Sequence, residues 1–272
     1  MTDEKTHIVF DIGGTKTRIA RVADGALADI GSFRTEEEPE AGLEALIKAV
    51  RGLVNSSLSI ALAGDTSGII EDGIVVHSPH LPHWDGFPLQ KRLTEAIGAP
   101  VKVFNDAELV ALGEYVHGAG EGTGGMLYVT VSTGVGGAYI EHGAICRGRY
   151  NAEFGHQIVD GGKELEALIS GTAVHERYGI HPKDLSDERI LGALADTLAM
   201  GLYNSTLHFS PSLIVLGGSM IVGQNAIPLA RVEEALTNLL KKYYPTAPRI
   251  KKAALGDLGG LWGGMAYLEK NR

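Results

Sequence analysis

The residues that could do chemistry in this chain fall into glycine-rich turns at strand ends and a few isolated acids and histidines. In IVFDIGGTKTRIA, Ile8 to Ala20, an apolar run stops at Asp11, and the chain turns on Gly13-Gly14 before Thr15 and Lys16. Adjacent glycines allow a tight turn and let a ligand approach the main chain. The hydroxyl, amide and cationic groups beside them suit phosphate oxygens. Asp11 at the strand end suits a hydrated Mg²⁺, which takes one or two carboxylates plus water. A plain β-hairpin built on Gly-Gly accounts for the same residues. The pattern returns at 126–140. There the apolar Met126 to Val131 leads into Ser132-Thr133-Gly134, then Val135-Gly136-Gly137, then Ala138 to Ile140. Read as a repeat, the two turns can hold the phosphates of one nucleotide from both sides of a cleft; the alternative is two unrelated hairpins. A third turn, Gly217-Gly218, follows the apolar Ser212 to Leu216.

Asn105-Asp106 directly follows the short strand Val101 to Phe104. A carboxylate at a strand end can take a proton from a substrate hydroxyl. Its neighbour Asn105 is spaced from Glu108 as in a capping box, which gives Asn105 a purely structural reading. Glu153, His156 and Glu166 place two carboxylates and an imidazole within a short polar stretch. Such groups bind the hydroxyls of a small polyol by paired hydrogen bonds; for Glu166 a solvated helix face is the alternative. His77, His80 and His83 recur at every third residue of a loop rich in proline and glycine. No carboxylate or cysteine there completes an evident metal set, so they read as loop histidines.

Bulk properties set the frame for these groups. With 272 residues and 44% hydrophobic content, the chain can bury the core of one large domain or of two lobes. A net charge of -9 disfavours non-specific nucleic-acid binding, which needs a basic surface. The single cysteine, Cys146, excludes an internal disulfide and a cysteine-rich zinc site. The polar MTDEKTH start has no signal-peptide character, and no apolar run reaches membrane-spanning length, so a cytoplasmic protein is expected, with no membrane partner.

The elements that would position these groups alternate strand and helix, as in an α/β protein. Strands are expected over Ile8 to Phe10, Ile19 to Val22, Ala26 to Phe33, and Ser59 to Ala63 with an end at Gly64. A helix is expected over 39–53, where Pro39 suits the entry and Leu43, Leu46, Ile47 and Val50 keep helical spacing. Residues 65–86 read as loop, followed by a helix to Ile97, the strand Val101 to Phe104 and a helix from Ala107 to Tyr115. HGAGEGTGG, 117–125, reads as a connector between lobes. Beyond the second turn, Lys163 to Ile169 reads as a short helix. A long helix from Asp187 to Phe209 has a buried stripe that includes Leu194, Leu198, Leu202 and Leu207. Another helix is expected near 224–241, a strand over Ile250 to Leu255, and a closing helix to Glu269.

Taken together, these residues resemble the ROK family of sugar kinases and related repressors, within the actin-like ATPase superfamily, over nearly the whole chain. DIGGTKTR resembles the family's first phosphate motif, STGVGG (Ser132 to Gly137) the second, and LGGS (Leu216 to Ser219) the adenosine motif. SPHLPHWDGFPL is similar to the loop over the sugar, and VFNDAELVALGE to the catalytic strand and helix. EFGH (Glu153 to His156) and ELEALISGTA resemble the sugar-binding segment.

The resemblance implies an α/β, two-lobed actin-like ATPase (ribonuclease H-like) fold with an interlobe cleft, the lobes comprising 1–116 plus 257–272 and 117–256. It implies ATP- and Mg²⁺-dependent phosphorylation of a hexose or N-acetylhexosamine at a primary hydroxyl, glucokinase-like, by a cytoplasmic homodimer. Asp106 would be the general base. Asn105, Asp106, Glu153, His156 and Glu166 would bind the sugar. Asp11, Gly13, Gly14, Thr15, Lys16, Thr133, Gly134, Gly217 and Gly218 would bind the nucleotide, with Asp11 organising Mg²⁺ through water.

Three features depart from the family pattern. Its members usually hold zinc with the histidine of EFGH and three cysteines soon after; here VDGGKELEAL stands in that place, so no structural zinc is expected. The loop before Glu153 is slightly short. His80 stands where asparagine is frequent, at a position that helps select hydroxyls. Family repressors carry an added N-terminal DNA-binding domain, and a phosphate motif starting at residue 11 favours the enzyme. A non-catalytic sugar sensor, or an actin-like phosphotransferase with a non-sugar acceptor, are the other readings.

Overall fold

The computed structural model describes residues 6–54 and 60–271, and the chain divides into two compact units. In the first, β1 (Thr6–Ile12), β2 (Lys16–Ala23) and β3 (Ala26–Arg34) form an antiparallel meander. Next comes α1 (Pro39–Leu53), with proline at its first turn and Leu43, Leu46 and Val50 buried along one face. β4 (Ile60–Thr66) and β7 (Val101–Asn105) add in parallel, giving the order β3-β2-β1-β4-β7. Between them lie the hairpin β5 (Ile69–Glu71) and β6 (Ile74–His77), and α2 (Leu89–Ile97); α3 (Asp106–His117) follows β7.

Two expectations change here. The strand expected from Ser59, a residue outside those described, does not stop at Gly64. A side chain at Gly64 would fall on Phe10 of β1, so the glycine is there for close strand packing, and β4 runs on through Asp65 and Thr66. The segment 65–86 is not simple loop either. It holds the β5–β6 hairpin and a short 3-10 turn at Pro82–Trp84, whose indole is buried in the core with Phe10, Leu46 and Leu93.

The second unit repeats the plan. β8 (Gly125–Val131), β9 (Val135–Glu141) and β10 (Ala144–Ile145) form an antiparallel meander. After it come the small hairpin β11 (Ile158–Asp160) and β12 (Lys163–Glu164), α4 (Glu166–Ile169), α5 (Gly171–Tyr178) and α6 (Glu188–Phe209). Then come β13 (Leu213–Gly217), α7 (Ser219–Val222), α8 (Leu229–Leu240) and β14 (Arg249–Lys252). The large sheet has the order β10-β9-β8-β13-β14, again two antiparallel pairings followed by two parallel ones. The echo between 8–20 and 126–140 is therefore one of topology. Matched strand order and helices on α/β sheets make this the actin-like ATPase type of fold.

Some boundaries move for physical reasons. Lys163-Glu164 is strand, not helix, because Gly161 and Gly162 both take left-handed φ (57° and 79°) and close a two-residue hairpin onto Ile158–Asp160. In α6 the buried face continues through Ser205 and Thr206, so Leu207 turns outward and is 40% exposed. Pro228 sits just before α8, whose helix starts only at Leu229. β14 ends at Lys252, short of Leu255.

The chain returns to the first unit as α9 (Gly259–Lys270). Side chains at Gly113 of α3 or Gly263 of α9 would strike the other helix's backbone, so these glycines let the two helices touch main chain to main chain. The first unit also takes in Arg147–Asn151, a segment that the sequence places with the other half. Arg147 Nε lies 3.2 Å from Glu108 Oε1, Arg149 Nε 2.7 Å from Glu71 Oε1, and Asn151 Oδ1 accepts from Ile70 N at 3.0 Å.

Candidate functional site

In the first unit, acids gather at the carboxyl ends of three adjacent parallel strands, the usual ligand edge of such a sheet. Asp11 of β1 is in register with Asp65 of β4, and Thr66 with Asn105 of β7. Arg18 Nη1 donates to Asp11 Oδ2 at 2.9 Å, and its other nitrogen lies 3.6 Å from Asp257. Asp65 is 1% exposed, and neither of its oxygens receives a hydrogen bond among the described residues. Burial pushes the Asp65 carboxyl well above its usual range, and the Asp11 and Asp106 charges add to this. Asp11 is itself raised by burial and lowered by Arg18. Nothing in the spacing of the sequence marks Asp65, because the strand was expected to end before it.

Asp106 heads α3 with its side chain open to solvent, yet the protein around it removes enough water to raise its carboxyl above the usual range. The Ala107 N–H and His80 act in the opposite direction. Its Oδ1 accepts from Ala107 N at 2.8 Å and from Asn105 Nδ2 at 3.0 Å, and among the described residues Oδ2 receives no hydrogen bond. Asn105 is 7% exposed and serves as the expected cap: Glu108 N donates to its Oδ1 at 3.2 Å, and Asn105 N donates to Glu108 at 3.3 Å. Its amide also donates to Gly68 O at 2.9 Å. Both amide hydrogens are thus committed, and only a lone pair of Oδ1 remains for a ligand.

The Gly13–Lys16 turn is tied down from behind. Gly13 N donates to Lys16 O at 3.1 Å, and the buried Thr35 hydroxyl donates to Gly13 O at 2.7 Å. Gly14, Thr15 and Lys16 are exposed. Neither glycine needs a left-handed φ. Gly14 is required for another reason: a Cβ there would lie 2.9 Å from the Cβ of His80. The loop histidines go separate ways. His77 Nδ1 pairs with Asp85 at 2.9 Å, His83 Nδ1 with Glu38 at 3.0 Å, and His80 packs over the turn. Among the described residues no group of three or more histidines, cysteines or acids is arranged to hold a metal ion.

In the second unit, the Ser132–Gly134 turn is closed by Ser132 N donating to Gly134 O at 2.8 Å. It is also bound to the segment that follows it in space. Gly171 N donates to Ser132 O at 2.7 Å, and the Thr172 hydroxyl donates to Thr133 O at 2.8 Å. Ser132 and Thr133 line a cavity of about 440 Å³ with Thr172, His175, Lys183, Ser219 and Asn225. This volume suits a nucleoside-sized ligand. Before Ser219, side chains at Gly217 and Gly218 would strike Tyr128 and Val131, and Gly218 has a φ of +87°. Sequence reasoning missed Thr172, His175, Lys183 and Asn225, which come from α5 and from loops far apart in the chain.

Glu166 joins the two halves of this unit's chemistry. Val135 N donates to its Oε2 at 2.6 Å, and a Cβ on Gly134 would lie 2.6 Å from the same oxygen. Glu166 is therefore no solvated helix face; it braces the phosphate-type turn. Glu153 and His156 flank a short 3-10 turn, with His156 Nε2 3.9 Å from Glu153 Oε2. His156 Nδ1 is bound to Glu164 Oε2 at 2.8 Å, and that bond raises the ring above the usual histidine range despite partial burial.

Comparison with known proteins agrees with this architecture. The family model described as ROK family matches residues 7–272. A ROK hexokinase from Thermus thermophilus superposes with a TM-score of 0.83 at 30% identity, covering 98% of this chain and 99% of its own. A ROK family glucokinase from Streptomyces griseus, solved with glucose and AMPPNP, gives 0.77 at 26% identity over 98% of this chain and 100% of its own. A fructokinase from Lactococcus lactis subsp. cremoris is 25% identical over 95% of this chain and 96% of its own. With the family model matched over almost the whole sequence, the chain belongs to the ROK family.

Proposed function

We propose that this protein is an ATP-dependent sugar kinase that phosphorylates a hexose or N-acetylhexosamine at its primary hydroxyl, with glucose the first candidate. The observation that carries the reading is Asp106. It is a solvent-reaching carboxylate whose Oδ1 is held by Ala107 and Asn105 and whose proton affinity is raised by burial. In the reaction the acceptor oxygen bonds to the γ-phosphorus as the bond to ADP breaks, and the hydroxyl proton passes to Asp106. Phosphoryl transfer is largely dissociative, so positioning of the oxygen matters more than base strength. Glu153, His156 and Glu166 bind ring hydroxyls, with the open lone pair of Asn105 as a further acceptor. The turns at Gly13–Lys16 and Ser132–Gly134 cradle phosphates, and the cavity by Ser219 takes the nucleoside. Asp11 fits a hydrated Mg²⁺: it is a strand-end carboxylate beside Asp65, whose buried oxygens have no hydrogen-bond partner among the described residues. Such an ion would screen the charge of the polyphosphate.

The working form proposed is a cytoplasmic homodimer, which sedimentation tests. No helix among the described residues is long and apolar enough to cross a membrane. The deciding experiment measures ADP release with ATP and Mg²⁺ against glucose, fructose, mannose, N-acetylmannosamine, acetate, glycerol and water. Turnover with one hexose far above water supports the reading. Turnover only with acetate or water makes the protein a different phosphotransferase or an ATPase, and sugar binding without ADP makes it a sensor.

A further inference from the structure

Glu164 has no role in the chemistry described above, and its bond to His156 gives it one. A carboxylate can only accept, so the 2.8 Å contact between Glu164 Oε2 and His156 Nδ1 puts a proton on Nδ1. A ring held at Nδ1 has its orientation fixed, and its other nitrogen is presented to whatever binds. That other nitrogen, Nε2, lies 3.9 Å from Glu153 Oε2. This is too long for a hydrogen bond. It is a distance that one hydroxyl oxygen can bridge, about 2.8 Å from each atom.

The chain makes a specific device to bring Glu164 there. The polypeptide leaves the 3-10 turn at Phe154–His156, runs out along Ile158–Asp160, reverses at Gly161-Gly162, and returns Glu164 opposite Ile158. The return strand is anchored by Leu165 N donating to Gln157 O at 3.0 Å and by the fully buried Leu165 side chain. Glu164 is thus delivered to the histidine by a rigid hairpin rather than by a free loop. The ring and the carboxylate are each about half exposed (51% and 45%), so their bond is not needed to satisfy a buried group. An exposed pair of this kind contributes little to folding. Its effect must show in what the imidazole can bind.

We propose that Glu164 is a positioning residue: it holds His156 by Nδ1 so that Nε2 and Glu153 Oε2 together clasp one hydroxyl of the acceptor sugar. This rests on the reading of Glu153 and His156 as sugar ligands. The hairpin that supplies Glu164 lies in the stretch VDGGKELEAL, which holds no cysteine. The fixed imidazole is therefore obtained here with a side-chain acceptor alone.

The test begins on the unaltered protein. ¹⁵N-histidine NMR of the full chain should show His156 with a proton on Nδ1; a neutral ring protonated only on Nε2 overturns the proposal. Steady-state kinetics of Glu164→Ala should then show a KM for the sugar raised about tenfold, the loss of one positioning hydrogen bond, with the KM for ATP unchanged and kcat altered less. Glu164→Gln retains an acceptor oxygen for Nδ1 and should recover most of that loss. In His156→Gln, adding Glu164→Ala should raise the sugar KM no further, since the carboxylate then has no ring to hold. The controls separate two failures. If His156→Gln leaves sugar KM unchanged, His156 is no sugar ligand and the functional reading of this residue falls. If His156→Gln raises the KM and Glu164→Ala, still folded by circular dichroism, does not, the positioning role falls alone.

Discussion

Replacing Asp65 by asparagine should make this protein more stable, by an amount that grows with pH. Asp65 is 1% exposed, and neither of its oxygens has a hydrogen-bond partner among the described residues. Its pKa in the fold lies well above the ordinary carboxyl value of 3.8, chiefly through burial. The protonated fold is therefore fully favoured below that ordinary value. As pH rises above it, the unfolded chain releases this proton while the fold retains it, and stability is lost until the folded pKa is passed. Over that window the loss is up to about 1.4 kcal/mol per pH unit. Asparagine has nearly the same shape and stays uncharged at every pH. The stability difference between Asp65→Asn and the parent should therefore be small near pH 4.5 and favour the variant clearly by pH 7.5. For a chain of this size, each kcal/mol moves the Tm by about 2–4 °C. Thermal unfolding of both proteins at pH 4.5, 6 and 7.5 measures it. A Tm difference that stays constant with pH, or a variant less stable at pH 7.5, refutes the raised proton affinity of buried Asp65.

Further expectations are of the same kind. Gly218→Ala combines a φ of +87° with a side chain driven against Val131 O, and should cost about 1–3 kcal/mol, seen as a Tm several degrees lower. Glu166→Ala leaves the Val135 N–H without its 2.6 Å acceptor. It should raise the KM for ATP as well as for sugar, whereas a residue touching sugar alone would spare ATP. Elemental analysis of protein purified without added metal should find no stoichiometric zinc, and EDTA should leave the Tm unchanged.

Much of the site was legible because its residues lie close in sequence to glycine turns that carry their own signal. Asp11 with Gly13-Gly14, Thr133-Gly134, and the Asn105/Glu108 cap can each be read within a few residues. What stayed hidden has physical reasons. Gly64 looks like a strand end, but its lack of a side chain admits Phe10, and the strand continues into Asp65. Gly161-Gly162 is a two-residue hairpin signal, and taking it as such would have placed Lys163-Glu164 in a strand and Glu164 beside His156. Lys183, His175 and Asn225 meet Thr133 in one cavity only through tertiary folding, and no local pattern announces them. The role of Glu166 needed the structure as well, because its partner Val135 is far from it in sequence.

The central claim is that Asp106 takes the proton from a sugar hydroxyl during transfer from ATP. Asp106→Asn keeps an oxygen for the Ala107 and Asn105 hydrogen bonds and removes the base. Turnover and sugar binding measured on that variant, with the acceptor found best for the parent, test the claim most directly. The account predicts a kcat lower by about 10²–10⁴-fold with the sugar Kd nearly unchanged; a kcat close to that of the parent would contradict it.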